Sequence, residues 1–230
     1  MAAVSPLVKI LYTVYATQKH FVILRKIKIM KKILFMSTAI LAVSLMSFIT
    51  IDVLNIGDAL PNAAAKLKDV SGKQITMATA KKENGLLVMF SCNTCPYVVK
   101  YQQRTNDIAA YAQKMNVGVI VLNSNEAQRA DDDSYEAMKK YAKAQNYKWF
   151  YAVDENNTLA DAFGANRTPE CFLFDKNLKL VYHGAIDDNA NDAAKVGRMH
   201  LQIAIDEMKA GKDIATKTSK SIGCTIKRKA

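Results

Sequence analysis

The stretch of sequence that decides the fold is Leu86–Pro96, which reads LLVMFSCNTCP. Its first five residues form an uninterrupted apolar run, which is typical of a buried strand. Two cysteines in the spacing C-x-x-C follow, Cys92 and Cys95, and a helical pattern then extends to about Met115. A strand, a C-x-x-C turn and a helix in this order favour thiol and disulfide chemistry.

The position of Cys92 just before the predicted helix affects the pKa that we expect for its thiol. Free backbone N–H groups and the helix dipole stabilise negative charge at a helix start. We therefore expect the pKa of Cys92 to lie below the ordinary thiol value of about 8.5. Cys95, three positions on, is placed to close a disulfide with Cys92. Pro96 fits the first helical turn, where an N–H group has no intrahelical partner to lose.

A structural zinc site or a pair of buried thiols is the alternative for this turn. Structural zinc usually takes a second pair of ligands at short spacing, such as C-x-x-C or H-x-x-x-H. The sequence contains no such second pair. We therefore predict neither a metal nor a cofactor at the site.

Charge is distributed unevenly along the 230 residues. The chain has 32 Lys and Arg against 21 Asp and Glu, a formal net charge of +11. Seven of the basic residues and one acidic residue precede Val53, which leaves 25 and 20 for the rest. No basic stripe interleaved with aromatic residues runs through that remainder, so we expect no nucleic-acid partner. The four cysteines are too few for a disulfide-stapled scaffold.

The N-terminal segment has the pattern of an export signal. Residues 30–32, MKK, precede Ile33–Ile51, an apolar stretch without a charge, which is typical of a secretory signal peptide. The stretch is also long enough to anchor the chain in a membrane. We expect residues 1–29 to be a start-site extension and residues 30–52 to be a signal peptide or N-terminal membrane anchor.

This pattern predicts an exported protein, either periplasmic or membrane-anchored and facing outside the cytoplasm. The basic flank before the apolar stretch places the N-terminus in the cytoplasm and the folded part beyond the membrane. Contact with the membrane is then expected only through the N-terminal segment, if that segment stays uncleaved. An oxidising compartment suits a dithiol enzyme.

The rest of the chain is predicted to alternate strands and helices, which implies a mixed sheet with helices on both faces. One domain is expected over residues 55–211, followed by a basic C-terminal tail, residues 212–230, that carries Cys224. Asp131–Asp133 is interpreted as the solvated start of a helix. A hairpin is predicted at Ala65–Met77. The further predicted strands are Val117–Leu122, Trp149–Val153, Cys171–Phe174 and Leu178–Tyr182, and the further predicted helices are Asp133–Gln145, Asn157–Phe163 and Asp192–Met208.

Five short motifs occur in order: Cys92–Pro96 (CNTCP), Asn123–Asn125 (NSN), Thr168–Glu170 (TPE), Gly184–Asp188 (GAIDD) and Gly223–Lys227 (GCTIK). In these motifs and in its order of elements, the chain resembles the thioredoxin-like superfamily. Within it, the chain is most similar to a subgroup of the redoxin branch, of the AhpC/TSA type, that carries the same motifs. The resemblance extends from about residue 55 to the end. It implies a thioredoxin-like α/β fold, with a central mixed β-sheet and helices on both faces.

The resemblance also implies that Thr168–Pro169 is a cis peptide bond facing the C-x-x-C turn. An extended substrate chain would bind there, next to the thiolate, through the backbone of the residue before the proline. From the sequence alone, an ordinary trans-proline turn is the alternative. The residues between the cysteines are Asn-Thr where a thioredoxin has Gly-Pro, so the direction of electron flow stays open.

The function expected from these observations is that of a thiol–disulfide oxidoreductase. Cys92 and Cys95 are its predicted catalytic dithiol, and Thr168 and Pro169 its predicted substrate-binding residues. Cys92 would attack a disulfide sulfur, and Cys95 would then attack Cys92 and release the reduced partner. The expected partners are protein disulfides and an upstream thiol electron donor.

Cys224 is the third thiol expected at this site. A flexible tail would bring it to the C-x-x-C turn as an accessory or resolving thiol; a spare packed thiol is the alternative. Two other functions stay open, a thiol peroxidase in which Cys224 resolves Cys92 and a Cu(I)-binding chaperone with His183 as third ligand. No cysteine has the Pro-x-x-x-Thr-x-x-Cys context of a peroxiredoxin. Cys171 is interpreted as a buried apolar residue.

Overall fold

The computed structural model describes residues 53–229, together with Met30. Residues 53–229 belong to a compact unit of the chain that spans Ile51–Ala230. Apart from Met30, the predictions made for residues 1–52 lie outside the described residues. No helix among the residues described is long and apolar enough to cross a membrane.

Nine strands and five α-helices make up the described part of this unit. Three short 3₁₀ turns, at residues 126–128, 155–157 and 193–195, lie between them. The elements are β1 (Leu67–Lys68), β2 (Gln74–Ile75), α1 (Met77–Ala80), β3 (Leu86–Ser91), α2 (Pro96–Lys114), β4 (Gly118–Asn123), α3 (Tyr135–Ala144), β5 (Phe150–Val153), α4 (Thr158–Phe163), β6 (Arg167–Thr168), β7 (Glu170–Phe174), β8 (Leu180–Gly184), α5 (His200–Lys209) and β9 (Cys224–Thr225).

A five-stranded mixed sheet in the order β5-β4-β3-β7-β8 forms the centre of the unit. Strands β4 and β5 run parallel to β3, whereas β7 is antiparallel to β3 and β8 is antiparallel to β7. All residues of β3 and β4 are buried, as their apolar runs require. Two further pairs, β1 with β2 and β6 with β9, are antiparallel.

Helices cover both faces of the sheet. One apolar cluster joins its first face to α2, α3 and α5, through Ile108, Met138 and Leu201 among others. The second cluster joins the opposite face to α1 and α4, through Met77 and Phe163. The predicted thioredoxin-like architecture, a central mixed sheet with helices on both faces, is therefore confirmed.

The last helix begins later than the sequence predicts. Asp192 accepts a hydrogen bond from Ala194 N at 3.0 Å and caps only a short 3₁₀ turn. The backbone of Val196 is then extended, with φ −69° and ψ 115°. Because that conformation interrupts the helical path, α5 starts at His200.

The segment 212–229, which the sequence sets apart as a tail, lies against the domain. Ile214 and Ile226 are buried in the two apolar clusters. The backbone of His183 in β8 accepts from Ser219 N and donates to Lys217 O, both at 3.0 Å. The sequence pattern does not reveal this docking, because it depends on single apolar residues and a two-residue strand without periodicity.

We expect Phe163→Ala to destabilise the fold by about 3–5 kcal/mol, the usual cost of emptying a large buried site. Phe163 is fully buried, and its ring centroid lies 5.1 Å from that of Phe172 and 5.3 Å from that of Phe90. Urea denaturation measures the free energy of unfolding. Phe163→Leu is the matched control and should cost clearly less; equal losses in both variants would contradict this account of the core.

Candidate active site

Three of the four cysteines meet at the carboxyl end of β3. The strand ends at Ser91, so Cys92 follows directly, and Cys95 is the N-cap residue of α2. Cys224, the first residue of β9, lies 129 residues after Cys95 in the sequence. Cys92 and Cys95 are 1% and 6% exposed, and Cys224 packs against them. The fold thus places three sulfur atoms in one cluster.

The disulfide of this cluster joins Cys95 to Cys224, and Cys92 is a free thiol. The sequence predicts a Cys92–Cys95 bond on oxidation, or a Cys92–Cys224 bond in a peroxidase; the bond in the structure is neither. The reason is strand register. The pairing of β6 with β9 sets Cys224 opposite Thr168, whose carbonyl oxygen lies 3.5 Å from Cys95 Sγ.

Burial controls the acidity of Cys92 in this state. It raises the pKa of the Cys92 thiol above its ordinary value, and the carboxylate of Asp133 raises it further. Hydrogen bonds from the Thr168 hydroxyl and from the backbone of the turn lower the pKa but do not outweigh burial. The predicted low pKa is therefore wrong for this state. Helix α2 begins only at Pro96, and Cys92 is closed off from water.

Thr168 lies beside both cysteines of the turn, and Pro169 follows it. The peptide bond between them is cis. Thr168 is 1% exposed, and its Oγ1 lies 3.5 Å from Cys92 Sγ. The backbone of Thr168 pairs with Cys224. The strand edge at which the family resemblance implies an extended substrate chain is thus occupied by the C-terminal segment of the same chain.

A buried polar network supports the C-x-x-C turn from behind. The carboxylate of Asp133 is fully buried and accepts three hydrogen bonds, from Asn93 N at 2.8 Å, Asn123 Nδ2 at 2.7 Å and Asn125 Nδ2 at 2.8 Å. Tyr151 OH donates to Asn93 Oδ1 at 2.8 Å and accepts from Asn123 Nδ2 at 2.9 Å. These bonds hold both the backbone and the side chain of Asn93, the residue next to Cys92.

The same network reaches the C-terminal segment. Asn125 Oδ1 accepts from Lys227 N at 2.9 Å, and Ala127 N donates to Lys227 O at the same distance. The NSN and GCTIK motifs of the sequence therefore meet in space. Their contact fixes the position of β9 relative to the C-x-x-C turn.

Glu170 holds β6 in place. Its Oε2 accepts from Asn166 N at 2.8 Å and Arg167 N at 2.9 Å, and its Oε1 lies 2.7 Å from His183 Nε2. The His183 ring stacks on Phe172, with centroids 4.3 Å apart. Among the described residues, no group of three or more His, Cys, Asp or Glu side chains is arranged to hold a metal ion.

Sequence reasoning missed Asp133, which it interpreted as part of a solvated helix start. The N-cap of α3 is Ser134, which accepts from Ala137 N at 3.3 Å, and Asp133 turns inward. The sequence could have placed Asn123 near the C-x-x-C turn. Asn123 ends β4, and the carboxyl ends of the parallel strands β3 and β4 meet at one edge of the sheet. No comparable signal distinguishes Asp133 from the two aspartates before it.

The fold and the cluster of three cysteines define a thiol-based redox protein of the thioredoxin-like class. The sequence model of the Redoxin family matches residues 55–198, and the chain belongs to that family. No curated protein was found to match it.

Solved structures of two bacterial proteins are similar to this chain. A hypothetical protein from Sinorhizobium meliloti 1021 is 33% identical, with a TM-score of 0.71, over 78% of this chain and 97% of the other. An uncharacterized conserved protein from Geobacillus kaustophilus is 32% identical, with a TM-score of 0.72, over 77% and 94%. A PrxQ mutant from Xylella fastidiosa shares the fold at 17% identity, with a TM-score of 0.52, over 70% and 98%.

We expect Thr168→Val to raise the pKa of Cys92 further, because it removes a hydroxyl whose hydrogen bond lowers that pKa. The raised pKa leaves less thiolate at any given pH, so the titration should move to higher pH. The ultraviolet absorbance of the thiolate measures it in protein with the Cys95–Cys224 bond intact. Thr168→Ser keeps the hydroxyl and serves as the control. An unshifted titration in Thr168→Val would show that the Thr168 hydroxyl does not lower the pKa of Cys92.

Proposed function

We propose that the protein is an exported thiol–disulfide oxidoreductase that reduces or exchanges disulfides in protein substrates. Cys92 and Cys95 form its dithiol, and Cys224 is a third, resolving thiol. The observation that carries this proposal is the sulfur cluster, in which a free thiol lies beside a disulfide. A thiol next to a disulfide is the arrangement that intramolecular exchange requires.

In the first half of the proposed reaction, the protein begins with three thiols. The Cys92 thiolate attacks one sulfur of the substrate disulfide, forms a mixed disulfide and expels the other substrate sulfur as a thiolate. The Cys95 thiolate then attacks Cys92 Sγ. This forms the Cys92–Cys95 bond and releases the second substrate thiolate. Two electrons have passed from the dithiol to the substrate.

In the second half, the Cys224 thiolate attacks Cys95 Sγ. The Cys95–Cys224 bond forms, and Cys92 leaves as a thiolate that takes up a proton. This product is the state described by the structure. Burial then keeps Cys92 neutral by raising its pKa, and a neutral thiol is a poor nucleophile for the reverse step. An upstream thiol donor would close the cycle by supplying two electrons to the Cys95–Cys224 bond.

The proposed export rests on the basic and apolar segment at residues 30–52. An oxidising compartment would suit this function, because protein disulfides form and persist there. Thr168 and Pro169 are proposed to receive the substrate chain, since Thr168, the last residue of β6, lies 3.5 Å from both sulfurs of the turn.

The other two functions have less support from the geometry. A peroxidase with Cys224 as the resolving thiol of Cys92 requires a bond between these two residues, and the observed bond supports a relay through Cys95. A Cu(I) chaperone needs His183 as a ligand, and His183 is instead paired with Glu170 at 2.7 Å.

The proposal predicts a different outcome for each cysteine in the reduction of a protein disulfide such as insulin, with dithiothreitol as donor. Cys92→Ser should reduce turnover to the uncatalysed rate, because it removes the attacking thiol. Cys95→Ser should accumulate mixed disulfides on Cys92. Cys224→Ser should move the oxidised pair to Cys92–Cys95, as measured by mass spectrometry of the disulfides.

Cys171→Ala is the matched control for these variants. Cys171 lies in β7, is fully buried and has a pKa raised by that burial, so its loss should leave turnover unchanged. Unaltered turnover in Cys92→Ser would contradict the proposal. Fast consumption of hydrogen peroxide that depends on Cys92, without reduction of insulin, would establish the peroxidase in its place.

A further inference from the structure

A cavity of about 480 Å³ opens between the turn that joins β7 to β8 and the end of α5. Asp175, which lines it, follows Phe174, and Phe174 pairs with Leu86, the first residue of β3. The cavity therefore lies near the start of β3, whereas Cys92 follows the other end of that strand. Since β3 has six residues and rises about 3.3 Å per residue, the two ends are about 20 Å apart.

Positive charge surrounds the cavity. Lys217 Nζ is paired with Asp213 Oδ1 at 2.7 Å. The other lining carboxylate, that of Asp175, accepts hydrogen bonds from Asn177 N at 2.9 Å and Lys179 N at 2.8 Å, within its own turn. Among residues 53–229, no carboxylate forms an ion pair with the other lysines of the lining. These four exposed lysines are Lys176, Lys179, Lys209 and Lys212.

The fold itself gives a partner to only one of these four lysines. Lys209 lies in the last turn of α5, where a cation interacts favourably with the terminal carbonyl groups of the helix. Lys176 and Lys179 lie in the turn between β7 and β8 and have no such role. Like charges around one cavity repel each other, and an anion bound between them removes that repulsion.

Much of the remaining lining is apolar. Ile56, Val181 and Met208 line the cavity and are partly exposed, and the buried Leu180 and Ile214 also contribute to it. A small inorganic anion would leave this apolar surface in water. Cations beside an apolar surface are complementary to an amphiphile, which has an anionic headgroup and a hydrocarbon chain.

The position of the cavity along the chain favours a membrane lipid as this amphiphile. Ile56, in its lining, follows residue 52, the last residue of the predicted signal peptide or anchor, by four positions. Four residues of chain span at most about 14 Å. Where the segment 30–52 is retained in a membrane, this lining is therefore held near the membrane surface.

We propose that this cavity is a binding site for an anionic membrane lipid. The lysines of the β7–β8 turn bind the headgroup, and the acyl chains lie against the apolar lining. This contact is additional to the one expected through the N-terminal segment, and it does not depend on the proposed redox reaction. It places the sulfur cluster, at the other end of β3, away from the bilayer, where protein substrates reach it.

The test measures lysine labelling on the full-length chain with vesicles of phosphatidylcholine alone or of phosphatidylcholine and phosphatidylglycerol in equal amounts. Reductive methylation followed by mass spectrometry gives a labelling rate for each lysine. A third sample contains phosphatidylcholine vesicles and soluble glycerol 3-phosphate, which has the charged headgroup without the chains. Lys140 and Lys143 are the reference residues, because they are exposed on α3, which packs against β5 at the opposite edge of the sheet.

We expect phosphatidylglycerol to slow the labelling of Lys176, Lys179 and Lys212 at least about fivefold, as the attraction of single lysines to anionic lipid predicts. The two reference lysines should keep their rates. Equal labelling on both kinds of vesicle, or equal protection of the reference lysines, would overturn the proposal. Equal protection by glycerol 3-phosphate would also overturn it and would indicate a site for a soluble phosphate compound.

Two variants test the headgroup contact. In the double variant Lys176→Gln and Lys179→Gln, the labelling of Lys212 on the mixed vesicles should become at least about fivefold faster, because the headgroup has lost two of its cations. The double variant Lys140→Gln and Lys143→Gln is the matched control and should leave Lys212 protected. Continued protection of Lys212 in the first variant would contradict a shared headgroup site.

A third variant tests the contact with the acyl chains. Val181→Thr keeps the shape of the side chain but replaces a methyl group with a hydroxyl group. It should weaken the protection given by phosphatidylglycerol, and protection equal to that of the unaltered chain would contradict contact with the lipid chains. All variants should reduce insulin at the unaltered rate, since their side chains lie far from the sulfur cluster, so this inference and the proposed function fail independently.

Discussion

The pairing of Thr168 with Cys224 is the interaction on which the site depends. It sets the carbonyl oxygen of Thr168 3.5 Å from one sulfur of the turn, that of Cys95, and its hydroxyl 3.5 Å from the other. It also brings the third sulfur from a distant part of the chain. The close approach is open only to glycine before the cysteine, at Gly223. One strand register thus determines which two cysteines are bonded and which one stays free.

The buried carboxylate of Asp133 helps to hold the C-x-x-C turn and the C-terminal segment in this register. An unpaired buried charge is costly, and Asp133 avoids that cost through three hydrogen bonds from asparagine groups. The neighbouring Arg129 donates to the carbonyl oxygens of Asp133 and Asn123, each at 2.7 Å. The result is a rigid frame behind the turn, and its negative charge opposes the thiolate form of Cys92. The charge of Asp133 thus adds to burial, which is the larger cause of the raised pKa of Cys92.

The sequence was sufficient for the architecture but only partly for the site. Continuous apolar runs require burial on both faces of the sheet, so β3 and β4 could be placed from the sequence pattern alone. The C-x-x-C spacing identified Cys92 and Cys95 as neighbours because only two residues separate them, although both precede the first residue of α2. The inward turn of Asp133 and the late start of α5 escaped, because each depends on packing against elements far away in the sequence.

By itself, the sequence determined the fold, the cysteines available for chemistry and the glycine that precedes Cys224, since these follow from local pattern and residue type. Only the tertiary structure decided that Cys224 is bonded to Cys95, that Cys92 is buried and neutral, and that the C-terminal segment fills the strand edge. The physical reason is that disulfide pairing and thiol acidity depend on distances and burial. Those quantities arise only when Cys95 and Cys224, which are 129 residues apart in the sequence, are brought together by folding.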